Sequence, residues 1–334
     1  MKISACYITK NEEKNLRKSI ESLQGLVDEI IVVDTGSADK TMLIAENTFK
    51  AMVFHEAWQD DFSAPRNKAL KHATGDWIIF LDADEYFTQE TAQNIRLVIE
   101  KIDKTKTNGL LIYRVNVDED NDNKILDSTF ILRIFRNLRG LGYVGKIHEE
   151  LRLNGEELTN LVALPPKFLT INHTGYSASK NRDKAERNLK MLLAEMETSK
   201  TPQKFYGYLA QCYNGIDDFV NAEKYAKLDL KSDIVYQNFS SSSHRILLNI
   251  LAKDEKRLDE RTKIARQAVN EFHDMPDFHA ELAECYAAQE NFGAAIESMK
   301  TALEKFKTYN GTETSIFDEK LAAVAKQRII SWQK

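Results

Sequence analysis

The sequence predicts two domains: an α/β domain with a parallel sheet over residues 1–175, then an all-α domain of helical hairpins over residues 180–334. Three observations support this prediction. Short β-branched runs alternate with stretches of helical spacing through the first 100 residues. Two further apolar runs flank a polar turn after residue 108, and a longer pattern recurs in the C-terminal half at an offset of 73 residues.

Four predicted strands alternate with four predicted helices in the first 100 residues. The strands cover residues 2–8, 29–33, 51–54 and 76–81, and the helices cover residues 11–23, 39–49, 63–72 and 88–102. Strands joined by helices pair in parallel through right-handed crossovers. In the third helix, Ser63 is predicted to be the N-cap, and Pro65 falls in the first turn, where its missing N–H costs little.

Residues 109–117 and 128–135 are predicted to be two strands around the polar turn DEDNDN. The alternating aspartates of this turn raise the possibility of a calcium loop. An EF-hand requires Gly at its sixth position and Glu at its twelfth, where this chain has Asn123 and Thr129. We therefore expect a solvated hairpin tip.

The C-terminal half contains an internal repeat. The segment YLAQCYNGIDDFVNAEKYAKLDL at 208–230 matches ELAECYAAQENFGAAIESMKTAL at 281–303. The matched core positions are Leu209 and Leu282, Tyr213 and Tyr286, Phe219 and Phe292, and Ala222 and Ala295. Large side chains at three positions and a small one at the fourth allow antiparallel helices to pack closely. The pattern resembles the tetratricopeptide repeat, whose unit is about 34 residues, and residues 315–332 would form a closing helix.

Composition excludes several functional classes. Net charge is −5, from 46 basic and 51 acidic residues, without a basic tract, so nucleic acid is not an expected partner. Cys6, Cys212 and Cys285 are scattered and are expected to be buried thiols in a reducing, cytoplasmic compartment. We expect no membrane span, because no apolar run reaches about 18 residues. The first residues already form a strand, so we expect no signal peptide.

Polar residues cluster where the predicted strands end, which is where open α/β sheets bind ligands. They are Thr9, Lys10, Asn11 and Glu12 after the first strand, Asp34, Thr35, Gly36, Ser37 and Asp39 after the second, and Asp82 and Asp84 after the fourth. Close carboxylates repel unless a cation or ligand lies between them. No glycine-rich phosphate loop is present, so a divalent cation held by Asp82 and Asp84 is expected to handle phosphates. Hydrolase elbow and zinc-site spacings are also absent.

Four segments together resemble family 2 glycosyltransferases of the GT-A fold: ISACYITKNEEKNLRKSIESL, EIIVVDTGSADKT, RNKALKHATGDWIIFLDADE and GKIHEEL. The chain is most similar to bacterial members with W-x-x-DFS-x-x-RN and C-terminal tetratricopeptide helices. Some of these modify peptides, including at cysteine sulfur, and others act on glycans or flagellin. The resemblance implies inverting, metal-dependent transfer of a hexose from a UDP-sugar to a peptide or protein, at Cys or Ser, or to a glycan. The helical domain would recognise the acceptor, bind a partner enzyme or form a homodimer.

The resemblance implies roles for residues that would contact the nucleotide. Asp34 would bond the uracil, with Thr9 and Glu12 lining the same pocket. Arg66 and Asn67 would brace the nucleotide end. Arg66 could instead pair with a nearby carboxylate.

The resemblance also implies a metal site. Asp84 would bind Mn²⁺ or Mg²⁺ bridging the diphosphate, and Asp82 would contact the ribose or a metal-bound water. The cation would act as a Lewis acid on the departing UDP. His148 would be a third metal ligand, or a structural histidine that caps a turn.

The base that accepts the acceptor proton is expected in GKIHEEL. Glu149 is the preferred candidate for this base and Glu150 is the second. Most of the family has Glu-Asp at this place. The alternative is that both glutamates are solvated and have no catalytic role. His173 in INHTGY would contact the diphosphate or the acceptor, or else Tyr176 at the domain junction.

The segment HEAWQDDFSAPRNKAL carries a further alternative. Asp60 or Asp61 would touch a hydroxyl of the donor sugar, or else Trp58 and Asp61 are local packing and capping groups. Two other functions are weighed against the transferase. One is a scaffold protein with a degenerate sugar-nucleotide domain. The other is a nucleotidyltransferase, which would normally have a glycine-rich, basic signature near its N-terminus. The segment ITKNEEKN does not have that signature.

Overall fold

The computed structural model describes residues 1–175, 178–234, 240–309, 311, 313 and 315–334. The chain divides into two compact units, Met1–Lys180 and Asn181–Lys334. The first unit is α/β and the second is helical, so the predicted fold class is confirmed. Tyr176 lies outside the described residues.

The first unit contains twelve described strands and five described α-helices. The strands are β1 (Ile3–Thr9), β2 (Glu29–Asp34), β3 (Met52–His55), β4 (Trp77–Asp82), β5 (Glu85–Phe87), β6 (Gly109–Asp118), β7 (Lys124–Arg136), β8 (Leu141–Val144), β9 (Glu150–Leu153), β10 (Glu156–Glu157), β11 (Leu161–Ala163) and β12 (Thr170–His173). The helices are α1 (Asn15–Glu21), α2 (Thr41–Leu43), α3 (Ser63–His72), α4 (Gln89–Ala92) and α5 (Ile95–Asp103). A π-helical turn, Ile44–Thr48, continues α2.

The large sheet has the order β3-β2-β1-β4-β7-β6-β12-β5, and β11 pairs with β6. The first four strands are parallel, as predicted. β7 runs antiparallel to both β4 and β6, which makes the whole sheet mixed. A small antiparallel sheet has the order β10-β9-β8. The parallel half therefore places the ends of β1, β2 and β4 side by side.

Both faces of the parallel half are buried. Tyr7 packs with Leu16 and Ile99 in one core, whereas its neighbour Cys6 packs with Ala69 and Phe135 in another. Successive strand residues point to opposite faces, so a strand covered on both sides is continuously apolar. This explains why its strands are nearly continuous apolar runs in the sequence.

Helix starts, lengths and caps differ from the predictions at four places. The first predicted helix, 11–23, is the shorter α1 (Asn15–Glu21). The predicted helix 88–102 is divided into α4 and α5, and the predicted helix 39–49 is the short α2 with its π-helical turn. Ser63 is not the N-cap of α3, because its Oγ donates to the Gly145 carbonyl at 2.5 Å. Asp61 bonds the first turn instead, accepting from the Ala64 N–H at 3.1 Å.

The polar turn after β6 is a hairpin tip, as predicted. The Asn121 N–H bonds the Asp118 carbonyl at 3.1 Å, and the Lys124 N–H bonds the Asn121 carbonyl at 2.9 Å. Asp122 and Asn123 have left-handed φ angles of 49° and 56°, which Asn and Asp tolerate better than most residues.

The second unit is a succession of helices. They are α6 (Ala178–Thr198), α7 (Tyr206–Gly215), α8 (Phe219–Asp229), α9 (Ser242–Leu251), α10 (Leu258–Glu271), α11 (Pro276–Ala288), α12 (Phe292–Thr308) and α13 (Glu319–Trp332). Two 3₁₀ turns, Pro202–Phe205 and Glu255–Arg257, precede α7 and α10. Within the described part of the chain, no helix combines the length and the apolar character of a membrane span.

The internal repeat corresponds to two hairpins with the same turn. Asp217, between α7 and α8, has a φ of 63°, and Glu290, at the equivalent place between α11 and α12, has a φ of 61°. The next residue caps the following helix in both cases, through Asp218 and Asn291. The predicted hairpins are thus observed, and their assignment to the tetratricopeptide class stays a prediction.

Four of the eight matched positions of the repeat are buried. Leu209, Leu282, Ala222 and Ala295 lie in the core, as predicted. Phe292 is 44% exposed, so its predicted core position is wrong. As the first residue of α12, it projects from the helix end rather than into the hairpin interface.

All three cysteines are free and buried, as predicted. Burial raises the pKa of Cys212 to about 12 and that of Cys285 to about 11, and it raises the pKa of Cys6 further. They are therefore protonated at neutral pH and behave as small apolar core residues.

Candidate active site

The ends of β1, β2 and β4 bring three predicted site residues together. Thr9 is paired in register with Asp34, and Ile8, one residue earlier, is paired with Asp82. The sheet order places β1 between the other two strands. Because parallel strands end at the same edge, the predicted gathering of polar groups there is observed.

Asp34 is fully buried and organises the turn after β2. Its Oδ2 accepts from the Gly36 N–H at 2.9 Å and the Ser37 N–H at 3.0 Å. The exposed His55 side chain lies over the same oxygen, with Nδ1 at 3.4 Å, and Thr9 Oγ1 is 3.5 Å from Oδ1.

Glu12 and Asn67 make local bonds near this edge. Glu12 Oε2 accepts from the Asn15 amide at 2.7 Å, at the start of α1. Asn67 bonds both backbone groups of Tyr143, at 2.9 and 2.7 Å, which ties α3 to β8. A nucleotide contact by Asn67 stays a prediction, and it would require these bonds to break.

Asp82 lies at the centre of a network of ion pairs. Arg66 Nη2 donates to its Oδ1 at 2.7 Å, and Arg133 Nη2 donates to its Oδ2 at 2.5 Å. Arg133 also bonds Glu85 Oε1 at 2.8 Å, and Arg66 bonds Glu149 Oε1 at 2.5 Å. The alternative role of Arg66, pairing with a carboxylate, is therefore the one seen here.

The arginines keep Asp82 ionised. Burial alone would raise the pKa of Asp82, but the charges of Arg133 and Arg66 outweigh it and hold that pKa well below its ordinary value. Both carboxylate oxygens are already bonded, so Asp82 is a poor direct ligand for a cation. It fits better as a residue that shapes the strand end.

Asp84 has a different partner. Its Oδ1 lies 3.4 Å from His173 Nε2, and its carbonyl accepts from the Thr174 N–H at 3.1 Å. His173 Nδ1 is 2.6 Å from Asn116 Oδ1. A carboxylate and an imidazole therefore face each other beside the D-x-D tip.

The predicted three-ligand metal site is not formed. Among the residues that the structure describes, no three His, Cys, Asp or Glu side chains form a group that could hold a metal ion, so Asp82, Asp84 and His148 do not do so. His148 is exposed and has a left-handed φ of 52°. Asp84 and His173 nonetheless fit a cation that takes its other ligands from phosphates and water.

The two candidate bases are placed differently. Glu149 is paired with Arg66 and joined through it to Asp82. Glu150 is exposed and pairs with Arg152 at 2.6 Å. Only the first of these two glutamates is therefore part of the network at the strand ends.

The loop before α3 follows its local alternative. The Trp58 indole donates to Asp60 Oδ1 at 3.0 Å, and Asp61 bonds the first turn of α3. These are the packing and capping roles that the sequence left open. A sugar contact by either aspartate stays a prediction.

Sequence reasoning missed Arg133 and Glu85. Glu85 directly follows the D-x-D tip and is fully buried, so its position was a signal. Arg133 lies 48 residues further along the chain and carried no local signal.

Comparison with known proteins decides the family. Residues 4–161 match the model of Glycosyl transferase family 2. The first unit is a family 2 glycosyltransferase domain. It has the GT-A α/β fold that the sequence predicts.

Curated relatives extend beyond this domain. A TPR repeat-containing protein of Synechococcus elongatus is 31% identical over 242 residues, covering 69% of this chain and 56% of its own length. The SPbeta prophage-derived glycosyltransferase SunS of Bacillus subtilis is 27% identical over 250 residues, covering 73% of this chain and 56% of its own. The chain thus spans little more than half the length of these relatives.

Solved structures include TarS of Staphylococcus aureus, with a TM-score of 0.42 and 20% identity over 90% of this chain and 55% of the TarS chain.

Proposed function

We propose that this glycosyltransferase moves a hexose from a UDP-sugar to a peptide or protein acceptor, at Cys or Ser, or to a glycan. The observation that carries the proposal is the pair formed by Asp84 and His173 just after β4, at the same edge of the sheet as the buried Asp34. The carboxylate of Asp84 is the hard oxygen ligand that Mg²⁺ and Mn²⁺ prefer, and the His173 imidazole would be the second protein ligand of an ion that is commonly bound through few protein groups plus substrate phosphates.

The donor would lie along the strand ends. Asp34 would accept from the uracil N–H, with Thr9 and Glu12 nearby. Asp84 and His173 would hold the cation, and the cation, when bound, neutralises charge on the departing diphosphate. Arg66 would support the donor through Asp82.

Transfer would be a single inverting displacement. The acceptor nucleophile forms a bond to the anomeric carbon, and the bond to the diphosphate oxygen breaks with its electron pair leaving on UDP. Glu149 would take the acceptor proton. Arg66 bonds its Oε1, so Oε2 is the oxygen that would receive that proton.

The helical unit would select the acceptor or join a second copy of the chain. Its hairpins are typical of arrays that bind extended partners. The buried free thiols fit a cytoplasmic setting.

A thermal-shift screen of nucleotide sugars with Mn²⁺ tests the donor. UDP and its correct sugar should raise the melting temperature, because a ligand at 100 times its Kd stabilises the native state by about 2.7 kcal/mol. The protein should also release UDP slowly without an acceptor, which a scaffold with a degenerate domain would not do. Mass spectrometry of Cys- and Ser-containing peptides would then identify the acceptor atom.

Asp84→Ala should abolish Mn²⁺-dependent UDP release while keeping the fold. Asp122→Ala, in the exposed hairpin tip, is the matched control and should retain full activity. Near-normal turnover by the Asp84 variant would contradict the metal assignment.

A further inference from the structure

Arg133 is presented by a β-bulge. Leu111 pairs with Leu132, but Leu110 pairs with Ile134, so Arg133 has no residue opposite it in β6. A bulge bends its strand and re-aims one side chain, and bulges are frequent next to active sites. Here the re-aimed guanidinium is buried and faces the tip of β4.

The guanidinium joins two carboxylates on either side of Asp84. Its Nη2 bonds Asp82 Oδ2 at 2.5 Å and Glu85 Oε1 at 2.8 Å. Its Nε lies 2.7 Å from Glu85 Oε2, which makes an ion pair, but the N–H is not oriented to donate a hydrogen bond to that oxygen. Arg114 is a weaker second partner of Glu85, at 3.4 Å.

Glu85 also bonds the backbone of the turn after β4 and packs against α1 through a hydrogen bond. Its Oε2 accepts from the Asp82 N–H at 3.2 Å, and its carbonyl accepts from Ser19 Oγ. The four residues 82–85 are therefore held at both ends and across the turn. Asp84 lies inside that turn.

We infer that Arg133 is a positioning residue, which holds Asp82 and Glu85 so that the Asp84 carboxylate faces His173 and the donor diphosphate. The inference rests on the proposed function. Groups that hydrogen-bond a metal ligand directly typically contribute 10- to 100-fold to metal affinity or activity. Arg133 acts one step further away, through Asp82 and Glu85, so we expect an effect at the lower end of that range. A lysine cannot replace the arginine fully, because a point charge lacks the planar fork that reaches two carboxylates at once.

Arg133→Lys tests this, since it keeps the charge next to the buried Glu85. Arg136→Lys is the matched control on the same strand, where Arg136 pairs with Asp103 at 2.7 Å and stacks on Trp77. The double variant Glu85→Gln with Arg133→Met removes both charges, so it leaves no unpaired buried charge. It tests the inference even if Arg133→Lys fails to fold. Calorimetry would give the Kd of Mn²⁺ in the presence of UDP, and UDP release would give kcat and KM separately.

We expect at least a tenfold rise in the Mn²⁺ Kd and in the donor KM for Arg133→Lys and for the double variant, with native circular dichroism. Arg136→Lys should change the melting temperature but neither constant. If Arg133→Lys and Arg136→Lys had the same Mn²⁺ Kd and the same donor KM, the inference about Arg133 would be overturned and the proposed function would stand. Wild-type protein that neither bound UDP with Mn²⁺ nor released UDP would overturn the proposed function and this inference with it.

Discussion

Each unit contains a network of arginines and carboxylates, and the two networks differ. In the first unit, Arg66 and Arg133 meet Asp82, Glu85 and Glu149 at the ends of strands, and both arginines are buried. In the second, the network lies between α8 and α10 and is partly exposed. Its members are Glu223, Lys227, Arg257 and Glu260.

The difference lies in which donors are satisfied. Arg66 Nη1 and Arg114 Nε are buried without a hydrogen-bond partner, whereas none of the buried unsatisfied atoms among the described residues belongs to the second network. Hydrogen bonds from Arg257 help to lower the pKa of Glu223 to about 2. A buried donor left open is costly unless a ligand completes it. The two networks therefore differ in whether they leave buried donors open.

Removing Arg66 should have the largest effect. Arg66→Met leaves Glu149 unpaired and Asp82 with one arginine, and breaking a buried pair costs about 3–5 kcal/mol. We expect the first unit to melt about 10 °C lower, as followed by tryptophan fluorescence, since Trp58 and Trp77 lie in it. A fall of less than 2 °C would remove the distinction between the networks.

Glu29 sharpens the comparison because it is a fully bonded carboxylate in the same unit, at the opposite edge of the sheet. Although burial acts to raise the pKa, hydrogen bonds from Lys2, Ser4 and Thr74 lower it to about 2. A lowered native pKa stabilises the fold above the unfolded pKa near 4.5, and that stability is lost as pH falls toward 2.

This group should contribute roughly 2–3 kcal/mol at neutral pH. Glu29→Gln should therefore be less stable than wild type at pH 6, and the two should converge at pH 2 in urea titrations. Donor binding at pH 6 should be unchanged. A stability difference that does not depend on pH would contradict this account.

Arg257→Met should have the smallest effect, because partly exposed ion pairs are worth about 1 kcal/mol or less. A double-mutant cycle with Glu223→Gln measures the pair by urea denaturation, and UDP affinity should stay at the wild-type value. A loss as large as that of Arg66→Met would show that exposure does not separate the two networks.

Local pattern determined much of this protein. The alternation of strands and helices, the hairpin tip at DEDNDN, the repeated turns of the helical unit and the acidic strand ends were all predicted from sequence. Each depends on residues that are neighbours along the chain, where periodicity and turn chemistry act. Helix caps were predicted less well from sequence. Ser63 and Asp61 are both plausible caps of α3, and the choice depends on the Gly145 carbonyl, which bonds Ser63 only in the folded chain.

The tertiary structure decided the partners. Arg66 meets Glu149 across 83 residues, Arg133 meets Asp82 across 51, and the bulge that aims Arg133 depends on pairing with β6. It also placed His173 beside Asp84. Ion pairing and metal-site geometry depend on distances between side chains that the fold brings together, and no local spacing in the sequence encodes those distances.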